Sequence, residues 1–149
     1  MVLRGEVNTT PEMLPFVIPE LQNRSVTSVV TSLSHSGALT SSGKLLTWGM
    51  HSQGALGLGD PRELPVGSPG GYAEEEQRAG AQAGTYYGDP PEVRVPTEVR
   101  FDHGLRAETR VERYCMAVAM GMWHTVALVV DLGGSVGKLG TMVRSKSLT

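Results

Sequence analysis

The chain has 149 residues, a length typical of one domain. Its 13 basic and 15 acidic side chains leave a formal net charge of −2, which argues against a nucleic-acid-binding arm or a polybasic membrane anchor. The single cysteine, Cys115, excludes an intramolecular disulfide framework and a multi-cysteine zinc site. Glycine occurs 19 times and charged residues make up 19% of the chain, a composition typical of a turn-rich β protein.

The first half of the chain predicts short strands joined by tight turns. Val26–Leu33 is short and rich in β-branched residues, so it predicts a strand. Ser36–Thr40 and Lys44–Trp48 flank a three-residue connection ending at Gly43, which predicts a hairpin with a positive φ at that glycine. The glycine-rich segment 49–60 breaks any helix and predicts a compact loop.

Residues 61–92 differ in composition from the rest of the chain. They contain five prolines, six glycines and six acidic residues against two arginines. Such a segment buries too little apolar surface to offset its ordering entropy, so it predicts a mobile, disordered acidic insertion. The one regular element expected within it is a short helix over Glu74–Gln82.

The second half of the chain predicts further strands. Val93–Phe101 is expected to be extended, and Asp102–Arg113, with charges of both signs, an exposed loop. Met116–Met120 and Thr125–Val130 predict two buried strands, and residues 133–149 an irregular tail. The apolar stretch from residue 115 to 130 is shorter than a membrane span requires, and no targeting segment is visible, so an intracellular location without membrane partners is predicted.

An internal repeat relates the two halves. His35 and His124 are each followed by two residues and then Ala-Leu, and each follows an apolar strand. A proline-led piece precedes each copy, Ile18–Leu21 in the first and Val95–Val99 in the second. The histidines are 89 residues apart (124 minus 35), or 57 without the 32-residue insertion, close to the roughly 50 residues of a large propeller repeat.

The segment 37–60 resembles the repeat of the regulator of chromosome condensation family, β-propellers of the β-lactamase-inhibitor-protein-II-like superfamily. The resemblance lies in a spaced set of glycines, leucines and a Trp-Gly pair: Gly43, Leu45, Trp48, Gly49, Gly54, Leu56, Gly57 and Gly59. His51 stands where the family usually has Asn, and Ala55 where it usually has Gln. Both departures are expected to weaken the hydrogen bonding of the loop.

The resemblance implies an all-β fold, a partial β-propeller of about two four-stranded antiparallel blades. The expected division is residues 1–60 for the end of one repeat and one full repeat, 61–92 for the insertion, 93–132 for a second, incomplete repeat and 133–149 for the tail. Propellers close with 4–8 blades, and repeat arrays need at least three units for stability, so the chain is expected to be a fragment.

The candidate site residues have structural roles in this interpretation. His35 and His124 occupy equivalent repeat positions, so each is expected to bind loop backbone at a strand start. Trp48 and Trp123 are expected in the blade core; the alternative is exposure on a rim, where Trp anchors a partner. Cys115, flanked by apolar residues, is expected to be an inert core thiol.

No signature of catalysis or of a bound cofactor is found. His51 and His103 lie in loops without cysteine or a second histidine at ligand spacing, so no metal site is predicted. The chain lacks a nucleotide fingerprint and a recognisable pair of catalytic carboxylates, so it is predicted not to be an enzyme and to take no small-molecule substrate.

Residues 95–101 and 121–132 are similar to the last repeats of fungal F-box proteins, which carry such repeats as the substrate-side domain of a Skp1–cullin–F-box ubiquitin ligase. This similarity implies a non-catalytic protein–protein interaction module whose partner is a protein. Two alternatives stay open. The first is a guanine-nucleotide exchange factor for a Ran-type GTPase, which is the function of the founding member of the family. The second is a truncated gene product without a function of its own.

Overall fold

The computed structural model describes residues 17–101 and 112–132, together with the backbone of residues 139–142. The predicted Asp102–Arg113 loop lies almost wholly outside the described residues, as does His103. The strands and the one α-helix, in chain order, are β1 (Val26–Thr31), β2 (His35–Thr40), β3 (Leu45–Met50), α1 (Glu75–Ala83), β4 (Glu92–Glu98), β5 (Arg113–Met120), β6 (Thr125–Asp131) and β7 (Leu139–Met142).

The strands form two antiparallel sheets. The first has the order β1-β2-β3-β4 and the second the order β5-β6-β7, so both are meanders in which sequence neighbours are hydrogen-bonded. The all-β prediction is confirmed, and the architecture is consistent with part of a β-propeller. The first sheet has the four strands expected of a blade, and the second has three among the described residues.

The insertion has a defined course between β3 and β4. Helix α1 lies where a short helix was predicted; a capping box between Glu74 and Gln77 starts it, and Gly84 in the left-handed conformation (φ 71°) ends it. The expected mobility and the division of the chain into four regions stay predictions.

Strand β4 belongs to the first sheet, although it follows the insertion in the chain. It pairs with β3, with Leu46 opposite Glu98 and Thr47 opposite Thr97. The proline-led pieces of the two copies also differ, since Pro19–Leu21 forms a 3₁₀ turn whereas Val95–Val99 lies mainly in β4. The reason is that strand pairing is decided by contacts distant in sequence, which a local repeat pattern does not record.

The hairpins β1–β2 and β5–β6 are structurally equivalent, which confirms the internal repeat. In the first hairpin the backbone N–H of Ser32 donates to His35 O, and in the second that of Gly121 donates to His124 O, both at 2.8 Å. Each first strand carries a bulge at the same position, Thr27 in β1 and Met116 in β5. The offset of 89 residues therefore holds at the turn, along the register and at the bulge.

The tail contains a strand that the sequence pattern did not predict. β7 (Leu139–Met142) pairs with β6, with Val130 opposite Leu139 and Ala127 opposite Met142. The expectation of an irregular tail is wrong for these four residues. The missed signal is in the sequence: Gly-Lys-Leu-Gly-Thr from residue 137 matches Gly-Lys-Leu-Leu-Thr from residue 43, so β7 occupies the place in the second sheet that β3 occupies in the first.

The hydrophobic core lies between the two sheets and the glycine-rich loop. Its buried members are Leu39, Leu45, Leu56, Leu58, Val93, Val99, Cys115, Ala127 and Val129. Alternation along a strand places residues 125, 127 and 129 of β6 on the inner face and 124, 126 and 128 on the outer face. The prediction that Met116–Met120 forms a buried strand is wrong, because Met116, Ala117 and Ala119 are exposed on β5.

Candidate functional site

The glycine-rich loop is held in place by a buried histidine. His51 is completely buried; its Nδ1 accepts a hydrogen bond from the backbone N–H of Leu56 at 3.1 Å, and its Nε2 lies 2.9 Å from Gly59 O. A carbonyl oxygen only accepts, so Nε2 carries the proton and the ring is neutral. Thr47, also fully buried, donates to Leu56 O at 2.8 Å. The expectation that histidine at position 51 weakens the loop is therefore wrong.

The chemistry of His51 follows from its burial. Desolvation lowers the pKa of His51, while the hydrogen bond to Gly59 O and the charge of Asp60 act in the opposite direction. Both ring nitrogens are occupied by backbone groups, so neither is available to a metal ion or to a substrate. His51 consequently has a structural role, which is to hold the backbone of the glycine-rich loop in place.

Two of the motif glycines are required because another part of the chain takes the space of a side chain. At Gly43 (φ +74°) a Cβ would lie 2.3 Å from Cδ2 of Tyr114, whose ring covers the β2–β3 turn. At Gly49 (φ +107°) a Cβ would lie 2.5 Å from Ser34 O and 2.7 Å from His35 Cα. The left-handed φ alone disfavours other residues at both positions. Glycine is therefore required at these two motif positions by close contacts with β5 and with the β1–β2 turn.

The second sheet is attached to the β2–β3 turn by two hydrogen bonds. The backbone N–H of Cys115 donates to Gly43 O at 2.9 Å, and the hydroxyl of Tyr114 donates to Ser41 O at 2.8 Å. These bonds join the beginning of β5 to the first sheet, and they explain why Gly43 must leave room for the Tyr114 ring.

His35 makes the contact between the two sheets at their other end. Its ring is buried at 3% exposure, with Nδ1 2.7 Å from Ser32 Oγ and Nε2 3.1 Å from Thr125 Oγ1. Burial lowers the pKa of His35, and a hydrogen bond to the backbone of His124 acts in the opposite direction. The His35 ring thus joins two side-chain hydroxyls, that of Ser32 in its own hairpin and that of Thr125 at the start of β6, and the expected binding to backbone of its own loop stays a prediction.

His124, the repeat equivalent of His35, lies at the surface. His124 is exposed, and no hydrogen bond to its ring is found in the described part of the chain. The ring lies beside Gly121, where a Cβ would be 2.7 Å from His124 Nε2. Trp123 is 67% exposed and Trp48 is half-buried, so the expectation of a buried core aromatic is wrong for Trp123 in this chain.

Cys115 lies in the core of the protein. It is fully buried, its Sγ lies 3.4 Å from Ala117 O, and burial raises its pKa. Because the thiolate is the reactive form, this cysteine is disfavoured as a nucleophile. The structure thus places the thiol in the core, as its apolar neighbours indicated.

A cleft of about 800 Å³ opens beside the glycine-rich loop. Asp60 and Arg62 on its wall form a two-bonded ion pair, with Nε–Oδ1 3.0 Å and Nη2–Oδ2 2.6 Å. The hydrogen bond from Arg62 lowers the pKa of Asp60. Tyr72 and Tyr86 pack edge-to-face across the insertion with ring centroids 5.4 Å apart. Asp60 and Arg62 are therefore paired with each other on the wall of the cleft.

Neither metal ligands nor a membrane helix emerge from the described residues. Among residues 17–101, 112–132 and 139–142, no three His, Cys, Asp or Glu side chains cluster in a way that would hold a metal ion. In the same part of the chain no helix is long and apolar enough to cross a bilayer.

These features define a class of protein: an all-β repeat protein. Its two equivalent hairpins pack against each other, with His35 of the first in contact with Thr125 of the second. Its sequence is similar to E3 ubiquitin-protein ligase HERC2 of Homo sapiens, at 46% identity over 46 residues, or 31% of this chain. HERC2 of Mus musculus matches equally, at 46% identity over 46 residues. The match spans 1% of the length of these relatives. No family model matches the chain.

The comparisons agree with the sequence interpretation at a coarse level. A ubiquitin-protein ligase is the kind of protein to which the chain is similar, and the match is in line with the resemblance to regulator of chromosome condensation repeats. The similarity extends over less than a third of the chain, and both relatives are mammalian. The F-box and fungal setting therefore stays a prediction.

Proposed function

We propose that the chain is a non-catalytic protein–protein interaction module of an intracellular ubiquitin-ligase system. The similarity to a ubiquitin-protein ligase carries this proposal. The chemistry of the described residues supports it: His51 and His35 have both ring nitrogens engaged, and Cys115 is buried with a raised pKa. These groups hold the scaffold together and leave its surface for contacts with another protein.

The finer form of the proposal is substrate recognition in a Skp1–cullin–F-box ligase. In this role the module binds a protein target and the catalytic steps take place on other subunits. Trp123 is the first residue to test as an anchor, because it is 67% exposed between β5 and β6 and tryptophan is enriched in binding hot spots.

The test is affinity purification of the tagged full chain from cells treated with a proteasome inhibitor, followed by quantitative mass spectrometry. We expect ubiquitin-ligase subunits to be enriched, with Skp1 among them for the F-box form. Trp123→Ala is expected to reduce this enrichment at least several-fold, whereas Tyr87→Ala, a change at an aromatic residue 92% exposed on the insertion, leaves it unchanged. Absence of ligase subunits from the wild-type sample contradicts the proposal.

A reconstituted ubiquitination assay distinguishes an adaptor from an enzyme. Incubated with ubiquitin, ATP, Mg²⁺, E1 and a panel of E2 enzymes, the purified chain is expected to form no thioester and no ubiquitin chains. A thioester on Cys115 that is sensitive to reducing agent would show that the module is catalytic.

A further inference from the structure

The two edge strands of the first sheet differ in how they are protected from pairing with another chain. Strand β4 carries three exposed charged residues, Glu92, Arg94 and Glu98, and its Pro96 has no N–H to donate. Strand β1 has neither a charged residue nor a proline. Charges and prolines are the usual means by which an edge strand is kept from pairing with a further strand. β4 is therefore a protected edge, whereas β1 is an unprotected one.

Strand β1 is accessible from both faces of the sheet. Val29 on one face is 59% exposed, and Ser28 on the other face is exposed as well. Val30, which lies opposite Gly37 of β2, is the single half-buried residue of the strand. Strand β5 packs over β1 and β2 from one side and leaves the outer edge of β1 uncovered. An incoming strand therefore meets no side chain that blocks its approach to this edge.

The register of the β1–β2 hairpin shows which backbone groups of β1 point outwards. The N–H of Ser32 donates to His35 O at 2.8 Å, so Ser32 directs its backbone groups towards β2. The direction of the N–H and C=O groups alternates along an antiparallel strand, so those of Thr31 and Val29 point away from β2. No strand of the described residues lies beyond β1 in this sheet. The edge thus offers two positions at which a further strand can exchange backbone hydrogen bonds.

The edge of β1 is suited to pairing with an identical edge. When two copies of one strand pair about a two-fold axis, each residue lies close to the same residue of the other copy, so a charge near the axis meets its own like charge. Six consecutive uncharged residues in β1 avoid this repulsion. A two-fold axis at Val29 places Val29 opposite Val29 of the second copy and Ser28 opposite Val30. The three charged residues of β4 would instead face like charges in such a pair.

We propose that two copies of the chain dimerise through β1, with the two β1 strands antiparallel about a two-fold axis at Val29. The N–H and C=O of Val29 in each copy bond the C=O and N–H of Val29 in the other, and the two first sheets become one sheet of eight strands. The pairing consumes the unprotected edge of both copies and leaves the protected β4 outermost, so assembly stops at the dimer. This association is independent of a role in ubiquitin ligation.

Dependence on protein concentration is the first test. One pair of six-residue strands buries well under the roughly 1,000 Å² of a stable interface, so the dimer is expected to be weak. Sedimentation velocity of the full chain between about 10 μM and about 1 mM should show monomer passing into dimer without larger species. Amide exchange at Val29 and Thr31 should be several-fold slower at the higher concentration and unchanged at Leu33. Monomer throughout, open-ended oligomers, or a dimer without slower exchange at Val29 overturns the proposal.

A matched pair of lysine substitutions separates the two edges. Val29→Lys places a charge at the axis of the dimer, where it faces the same charge of the second copy, and is expected to weaken association at least tenfold. Val95→Lys is the control, because Val95 is 50% exposed on the other edge strand, β4. It should leave the dimer unchanged. Equal weakening by the two substitutions, or an effect of Val95→Lys alone, overturns the assignment to β1.

Charge complementation tests the two-fold axis itself. Val29→Lys and Val29→Glu should each be monomeric alone, because like charges meet at the axis, whereas an equimolar mixture should form a dimer with one copy of each. Circular dichroism and urea midpoints close to those of the wild-type chain establish that both variants are folded, as expected for changes at an exposed position. A mixture of folded variants that stays monomeric, under conditions where the wild-type chain is dimeric, overturns the pairing of Val29 with Val29.

Discussion

The imidazole of His35 joins Ser32 of its own hairpin to Thr125 of the neighbouring sheet, with Nδ1 2.7 Å from Ser32 Oγ and Nε2 3.1 Å from Thr125 Oγ1. The contact spans 90 residues of sequence and the boundary between the two sheets. It fixes the start of β2 against the start of β6, at the end of the sheets opposite the bond between Cys115 N and Gly43 O. The two sheets are therefore held at both ends by polar contacts around an apolar centre.

A double-mutant cycle measures the energy of the His35–Thr125 contact. We expect His35→Ala and Thr125→Val to be coupled by about 0.5–1.5 kcal/mol in the free energy of unfolding, the net value typical of one hydrogen bond. Urea denaturation followed by circular dichroism gives the four free energies. His35→Ala combined with Thr97→Val, a change on the outer strand β4, serves as the control and should be additive; a coupling of zero between His35 and Thr125 contradicts the prediction.

Two glycines with the same backbone angle separate conformational strain from steric conflict. Gly43 and Gly67 both have φ +74°, but a Cβ at Gly43 meets the Tyr114 ring while a Cβ at Gly67 has nothing within 4 Å. Gly67→Ala is expected to lower the free energy of unfolding by about 1 kcal/mol, the cost of the left-handed conformation. Gly43→Ala should cost at least about 2 kcal/mol more, because the Tyr114 ring must move. Equal losses in thermal or urea unfolding would falsify the assigned contact.

Removal of the His51 ring is expected to loosen the glycine-rich loop. His51→Ala deletes a fully buried side chain and leaves the backbone N–H of Leu56 and the carbonyl of Gly59 without their partner. We expect a loss of about 2–5 kcal/mol in the free energy of unfolding. Amide hydrogen exchange at Leu56 should accelerate more than at Val29. His124→Ala is the matched control, since its exposed ring should contribute less than about 0.5 kcal/mol in this chain.

The buried histidines make stability depend on pH. Burial lowers the pKa of both His35 and His51 below the ordinary 6.5. Below pH 6.5 the unfolded chain therefore binds protons that the folded chain does not, and the free energy of unfolding falls as the pH drops. The slope reaches at most about 1.4 kcal/mol per pH unit for each histidine.

Urea midpoints measured between pH 7.5 and pH 5 test this dependence. Asp60, whose pKa the hydrogen bond from Arg62 lowers, titrates below this range and does not contribute to the slope. His51→Gln should reduce the slope markedly, because one of the two buried histidines is removed. A midpoint that rises towards pH 5, or a slope that His51→Gln leaves unchanged, contradicts the assignment.

The single thiol reports the integrity of the core. Cys115 is buried and burial raises its pKa, so we expect its reaction with an aromatic disulfide reagent at pH 8 to be slow in the native chain. The rate should increase at least a hundredfold in denaturing urea and follow the unfolding transition measured by circular dichroism. Free glutathione in the same buffer provides the reference rate, and native Cys115 reacting as fast as glutathione would place the thiol at the surface.

The amino-acid sequence by itself determined the local elements of this protein. Short β-branched runs and the turn at Gly43 predicted β1 to β3, and the Ala-Leu spacing after His35 and His124 predicted two equivalent hairpins. These features depend on residues near each other in the chain, where side-chain preference, strand alternation and the φ freedom of glycine act directly.

The tertiary structure alone decided how the elements are assembled. The pairing of β4 with β3 and of β7 with β6, the two hydrogen bonds of His51 and the different environments of His35 and His124 all depend on groups distant in sequence. Identical repeat positions become buried or exposed according to whether a neighbouring sheet covers them. Burial and strand pairing are properties of the assembled surfaces. The repeat pattern could therefore locate both histidines, but it could not predict that His35 is buried against Thr125 while His124 is exposed.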